Sequence, residues 1–251
     1  MARVYTGLSP TWYEDYERGR PSYPAAVVDV PGLPPTAAVL DLGAGTGKLT
    51  RLLVTAFDDV VAVEPDEGML SLVAAICPGA RVLPGSAEEI PLPDGSVDAV
   101  FAAEAFHWFD QERALAEIAR VLRPRGALVL MWNVPAGPTE PSIDAVERLV
   151  DDARPNGLDY DPMDLNHRRY ASGEWRRAFA ESPFEELREQ RLANEQTLDR
   201  DALVSLLASM GWVSDLPNEQ RQPLLEQARS LLAAAEYRRP WETQLHWTRL
   251  R

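Results

Sequence analysis

Val39-Leu-Asp-Leu-Gly-Ala-Gly-Thr-Gly-Lys48 decides the fold. It opens inside the apolar run Ala37-Ala-Val-Leu-Asp-Leu42, which is a buried strand. The run enters a turn with glycines at 43, 45 and 47 and then Leu49, Leu52, Leu53 and Phe57, which recur at helical spacing. Glycine has no Cβ, so it accepts positive φ and lets the backbone approach a neighbour or a ligand. The helix that follows presents unpaired N–H groups and the positive end of its dipole at the turn. A strand, a glycine turn and a helix in this order form the first unit of a doubly wound α/β sheet.

Outward from this unit the same alternation continues. Asp59-Val-Val-Ala-Val63 is a second strand, and Met69, Leu70, Val73 and Cys77 share one face of the next helix. Arg81–Pro84 is a short third strand and Val97–Ala102 a fourth, entered through the turn Pro93-Asp-Gly-Ser96. A helix bearing Leu115, Ile118, Ala119 and Leu122 is stopped by Pro124-Arg-Gly126, and Ala127–Met131 is a fifth strand. Continuously apolar strands alternating with helices imply a parallel sheet covered on both faces. Right-handed crossovers make it doubly wound. The fold class is α/β, with a core over 36–133 and an N-terminal helical cap over 1–35. The remaining part, 134–251, is expected to complete the sheet and supply a lid.

After the loop Val134–Pro141, helices are expected over 142–153 and 173–180 and in two later Leu-rich runs, with a weakly alternating strand between Phe184 and Leu198. Trp241–Arg249 alternates cleanly and reads as the last strand of the same sheet. The best candidate for a lid runs from about Pro135 to Leu198, together with the aromatic N-terminal piece containing Trp12, Tyr13, Tyr16 and Tyr23.

Composition narrows the function. The chain has 251 residues, an apolar fraction of 45% and a net charge of −14, all compatible with a globular protein that needs no disulfide or metal staple. The negative balance argues against a nucleic-acid partner or an anionic membrane surface. No stretch reaches the length of a membrane span, and the first residues lack the apolar core of a signal peptide. Cys77 is a single cysteine and suits an apolar helix face. A cytoplasmic location follows as the expectation.

The residues around the glycine turn limit what it holds. A phosphate-cradling loop needs G-x-x-x-x-G-K-[ST], but Leu49 follows Gly47-Lys48 and Leu42 stands where the first glycine should be. A dinucleotide turn needs G-x-G-x-x-G, and Lys48 occupies its third position. Asp41, directly ahead of the turn, repels phosphate and can accept from an ammonium, with the N–H groups of Gly43, Ala44, Gly45, Thr46 and Gly47 left for a carboxylate. Glu64 ends the second strand, where a carboxylate accepts both hydroxyls of an unphosphorylated ribose. S-adenosylmethionine, with an amino-acid head and a phosphate-free nucleoside tail, fits both ends.

Four segments carry a resemblance: Val39–Gly47, Ala62-Val-Glu-Pro-Asp66, Gly85–Asp98 and Ala127–Met131. In this order over about 100 residues, the chain resembles the class I S-adenosylmethionine-dependent methyltransferases, in the small-molecule group whose core is called methyltransferase type 11. The resemblance implies a seven-stranded sheet with an antiparallel last strand. It implies that Glu64, beside Pro65, takes the ribose, and that Ser86, Ala87 and Glu88 lie at the adenine, Glu88 as a partner or as a solvated charge. Met69 stands either against adenine or in the core. Ala103-Glu-Ala-Phe-His-Trp108 faces the methyl donor. Relatives cap the cofactor with segments such as Tyr16-Glu-Arg-Gly-Arg-Pro21, and Tyr13 and Tyr16 of this piece are candidates for the acceptor pocket; Trp108 either lines that pocket or anchors the next helix. Arg20 pairs with the cofactor carboxylate or with a surface acid.

His107, at the carboxyl edge of a parallel strand, reads either as the general base for a protonated acceptor or as a histidine making one structural hydrogen bond. His167, in the polar run Asn166-His-Arg-Arg169, and His246, on the polar face of the last strand, carry no site expectation. No metal ligand set is present in the pattern. The expected activity is methyl transfer to a small-molecule acceptor. A nicotinamide-dependent oxidoreductase and a non-catalytic S-adenosylmethionine-binding regulator are the competing readings. The sequence says nothing of oligomeric state.

Overall fold

The structure, a computed structural model, describes residues 10–154, 170 and 172–251. His167 and part of the expected lid lie outside the described residues. Seven strands form one sheet: β1 (Ala38–Leu42), β2 (Asp59–Glu64), β3 (Ala80–Pro84), β4 (Val97–Ala103), β5 (Leu122–Pro135), β6 (Arg188–Leu198) and β7 (Tyr237–Arg249). Their order is β3-β2-β1-β4-β5-β7-β6. The first five are mutually parallel, and β7 runs antiparallel to both β5 and β6. The C-terminal part thus completes the sheet, and the fold is the Rossmann-like arrangement the strand and helix pattern predicts.

β1 is buried along its whole length, and β2 and β4 nearly so, as strands covered by helices on both faces must be. Alternate side chains serve opposite layers. Leu40, Leu42, Val61, Val63, Val100, Leu128 and Leu130 pack toward α4 (Gln111–Val121). Val39, Val60, Phe101, Val129 and Met131 pack toward α2 (Thr50–Ala56) and the short 3-10 turn Ala25–Asp29. A third apolar cluster joins α5 (Pro141–Asp152), α6 (Arg200–Ala208), the single turn α7 (Gly211–Ser214) and α8 (Asn218–Leu231) to Tyr237 and Trp241 of β7. α1 (Pro10–Gly19) lies on α6 so closely that a Cβ on Gly19 would sit 2.2 Å from the Leu206 nitrogen.

Three expectations change. α4 ends at Val121 rather than at Pro124, and β5 already begins at Leu122. Its pairing with β4 shifts register between Val97 and Ala99, so Pro124 sits where the ladder demands no N–H, and Arg125 beside it takes φ +63°. The helix expected over 173–180 is a 3-10 helix, Glu174–Phe179, launched from Gly173 at φ +69°. His246 is buried, 2% exposed, because β6 pairs beyond β7 and the layer of Tyr170 and Trp175 covers this face. No helix among the described residues is long and apolar enough to cross a membrane.

Candidate active site

β1, β2 and β4 end together, and the turns leaving them frame a cavity of about 260 Å³. Gly43, Gly45 and Gly47 take φ of +73°, +58° and +86°, values side chains resist at a cost of about 1–2 kcal/mol each. Gly43 and Ala44 donate their N–H groups to the Val63 carbonyl at 2.9 and 3.1 Å, and Gly47 donates to the Ala44 carbonyl at 2.9 Å. Gly45 donates to Glu64 Oε2 at 2.9 Å. The loop N–H groups at 43, 44, 45 and 47 are therefore committed within the protein, which corrects the expectation that they receive a ligand carboxylate. The reason is strand spacing: β1 and β2 are hydrogen-bonded neighbours, so the loop leaving β1 closes on the end of β2.

Two carboxylates stand at separate stations on the wall. Asp41 is 1% exposed; its Oδ2 accepts from the Thr50 hydroxyl at 2.6 Å, and its buried Oδ1 has no hydrogen-bond partner. Burial pushes its pKa up to about 7, with the Glu64 charge adding to the rise. Glu64 Oε1 accepts from the Asp66 N–H at 3.0 Å, so backbone donors fix both of its oxygens while each keeps a second lone pair. Burial raises its pKa as well, and the two N–H bonds restrain the rise. The Thr46 hydroxyl is buried on the same wall without a partner.

The cap comes from α1 and from the junction between α6 and α7. Arg20 donates through Nε to the Ser209 hydroxyl at 2.9 Å and through Nη2 to the Ser209 carbonyl at 3.0 Å, with its guanidinium 5.4 Å from the Tyr16 ring centre. Lys48 Nζ donates to the Glu17 carbonyl at 2.7 Å, satisfying an orphan acceptor in the last turn of α1. Glu17 also pairs with Arg51. Charge thus ties the cap to the helix that follows the glycine loop. On the far wall Glu104, at φ +52°, accepts the Asn133 N–H on Oε1 at 2.6 Å. His107, 1% exposed, accepts on Nδ1 from the Trp132 indole N–H at 3.0 Å.

The cavity is lined by Asp41, Gly43, Ala44, Gly45, Thr46, Glu64, Pro65, Met69, Ser86, Ala87, Glu88, Ala103, Arg20, His107, Tyr16 and Trp108. Glu88 also accepts the Asp110 N–H at 2.8 Å, and Met69 is both lining and largely buried. Two expected residues are elsewhere. Gly47 faces α3 (Glu67–Ile76), where a Cβ would meet Cys77, Val73 and Ile76 at 3.4–3.5 Å, so it serves packing. Tyr13 is not on the wall: its hydroxyl donates to Asp66 at 2.7 Å and its ring covers Gly68. Trp12 lines the cavity instead. The segment 135–198 contributes no described lining residue. Ser209, Met210, Gly211, Trp212 and Trp241 form that wall, with Tyr23 and Asn133 beside it.

A family profile described as a methyltransferase domain matches residues 40–130. An uncharacterized methyltransferase of Mycobacterium tuberculosis is 42% identical over 220 residues, spanning 87% of this chain and 82% of the relative. A malonyl-[acyl-carrier protein] O-methyltransferase of Methylococcus capsulatus is 46% identical over 101 residues, 38% of this chain and 37% of that protein. A solved Anaeromyxobacter dehalogenans structure, assigned there to the type II methyltransferases, is 27% identical with a TM-score of 0.66, covering 92% of this chain and 98% of its own. On these grounds the chain belongs to the class I S-adenosylmethionine-dependent methyltransferase family.

Proposed function

We propose that this methyltransferase binds S-adenosylmethionine in the cavity and passes its methyl group, by in-line displacement, to a small-molecule acceptor held under the α1 cap. The observation that carries the reading is Asp41 Oδ1, a buried carboxylate oxygen on the cavity wall with no hydrogen-bond partner. An orphaned buried acceptor costs about 1–3 kcal/mol, and an ammonium placed against it removes that cost. Four loop N–H groups are already used, so the loop is a poor phosphate cradle. That disfavours a dinucleotide.

The residues fit the group at both ends. Asp41 would accept from the ammonium, Arg20 and the Thr46 hydroxyl would meet the carboxylate, and the spare lone pairs of Glu64 would accept the ribose hydroxyls. Ser86, Ala87, Glu88 and Met69 would surround the adenine. When bound, S-adenosylmethionine supplies an electrophilic methyl whose carbon–sulfur pair leaves on neutral sulfur, so no acid is needed at the leaving group. The chain's own contribution is then placement and exclusion of water, with Trp12, Tyr16, Trp108 and Trp212 walling the acceptor half.

Calorimetry tests the reading. S-adenosylmethionine and its demethylated product are expected to bind, NAD(H) is not, and Glu64→Gln is expected to weaken binding by ~10-fold or more. Binding of NAD(H) with none of S-adenosylmethionine would overturn it. The partial coverage of the malonyl-[acyl-carrier protein] enzyme leaves its acceptor with that protein.

A further inference from the structure

We infer that Gln196 and Asn194, on the edge strand β6, are positioning residues: they bolt the strap Gly19-Arg20-Pro21-Ser22 to the sheet and so set Arg20 over the cavity. Neither is among the described residues that line the cavity. That Arg20 meets a cofactor carboxylate there rests on the methyltransferase reading; the clasp itself does not. Along β6, Leu192, Asn194 and Gln196 are partly buried while Ala193, Glu195 and Thr197 are exposed, so the first three share the inner face. A face that packing alone would fill with apolar side chains carries two amides instead, and both reach the strap.

α1 ends at Gly19, which leaves the Gly19 carbonyl without a helical partner. Gln196 Nε2 donates to it at 2.9 Å, and Gln196 Oε1 accepts the Trp241 indole N–H at 3.1 Å. An indole N–H only donates and a carbonyl only accepts, so a single orientation of the amide serves both partners. Trp241 is 2% exposed, lines the cavity, and has the Arg239 guanidinium 4.9 Å from its ring centre, which leaves this anchor little freedom. The Ser22 carbonyl accepts from two amides, Asn194 Nδ2 at 2.8 Å and Asn133 Nδ2 at 3.0 Å, and so uses both of its lone pairs. Asn133 Oδ1 in turn accepts from the Thr243 hydroxyl at 2.6 Å and from Asn194 at 3.1 Å. Asn133 and Thr243 are buried and oppose each other in the β5–β7 register, so three strands share the second anchor. Between the two held carbonyls stand only Arg20 and Pro21, and proline fixes its own φ. The Arg20 guanidinium therefore reaches Ser209, at the end of α6, from a backbone with little play.

Hydrogen exchange and calorimetry test this together. Gln196→Met and Asn194→Leu each remove one side chain of the clasp without adding charge. In ligand-free protein the amides of Gly19, Arg20, Ser22 and Tyr23 are expected to exchange ~10-fold faster in either variant, with those of β1 and β4 unchanged. S-adenosylmethionine is expected to bind ~3- to 10-fold more weakly to each. Starting from Arg20→Ala, neither change is expected to cost further affinity, because a residue that acts through Arg20 then has nothing left to position. Losses that add to that of Arg20→Ala, or strap amides exchanging at the wild-type rate, would overturn the assignment. Faster exchange at β1 and β4 as well would do the same, since it marks a general loosening of the fold. Failure of the wild type to bind S-adenosylmethionine counts against the methyltransferase reading instead, and exchange at the strap still decides whether the clasp holds it.

Discussion

Asp41 shows how a single residue trades stability for a site. Its Thr50 bond satisfies one oxygen while the other is buried without a partner, and desolvation lifts its pKa to about 7. A carboxyl whose folded pKa lies above its ordinary value of about 3.9 contributes stability that is complete below that value and is lost as pH rises through about 7. Asp41→Asn keeps an oxygen for Thr50 and removes the charge. Its unfolding midpoint is therefore expected to exceed that of the wild type at about pH 8 and to converge on it toward about pH 4, as differential scanning calorimetry across that range would record. The same variant is expected to lose ~10-fold or more in S-adenosylmethionine affinity, because the amide no longer offers a charge to the ammonium. A variant less stable than the wild type at the higher pH would show that Asp41 is satisfied in the free protein.

Among the elements, the α1 cap is held by shape at one point and by charge at another. Gly19 lets the backbones of α1 and α6 meet, whereas Lys48 at the end of the glycine loop and Arg51 on α2 grip Glu17. Gly19→Ala places a methyl 2.2 Å from backbone that cannot yield, so the cap is expected to lift while the sheet stays intact. Trypsin should then cleave after Arg18 faster by ~10-fold, and S-adenosylmethionine should bind correspondingly more weakly; unchanged cleavage would mean that α6 moves with α1. β1, β2 and β4 were legible from the sequence because strands buried on both faces are apolar throughout, and the glycine turn because its spacing separates three ligand chemistries. The cap was legible as aromatic but its wall was misread. Trp12, Tyr16 and Arg20 follow one another at i, i+4, a single stripe, and that spacing distinguishes them from Tyr13. Ser209–Trp212 left no such signal, since they reach the cavity only because the helices after β6 fold back over the sheet. The involvement of Trp132 with His107 was equally hidden: an apolar strand position gives no sign that its indole N–H faces a histidine across the neighbouring strand's turn.

For the whole molecule the question is how a sheet this buried responds to acid. Buried carboxyls and a buried imidazole pull in opposite directions, Glu64 with its raised pKa on the same side as Asp41. Asp41 makes the fold more stable as pH falls from about 7 toward about 4. His246 does the reverse: burial first, then the nearby Arg176 charge, push its pKa down to about 4, against the pull of Glu189. It is neutral in the fold among Tyr170, Trp132 and Trp175, with the Tyr170 hydroxyl 3.2 Å from Nε2 and Arg176 3.4 Å from Nδ1. A base whose folded pKa lies below its ordinary value of about 6.5 leaves stability untouched above that value and withdraws it as pH falls toward the folded pKa, because only the unfolded chain gains the proton. With both groups present the slopes offset one another over most of this interval. His246→Gln keeps a polar side chain at the junction of β5, β7 and β6 and cannot titrate, so it leaves the slopes of the buried carboxyls Asp41 and Glu64 unopposed by an imidazole. Denaturant midpoints at about pH 8 and about pH 4.5 are expected to show the variant at a constant disadvantage or parity at the higher pH and gaining ~1–3 kcal/mol on the wild type at the lower one. If the two proteins lose stability in parallel on acidification, His246 is protonated in the fold, and the Glu189 carboxylate 3.4 Å from Nδ1 outweighs the burial that the layer of Tyr170 and Trp175 imposes.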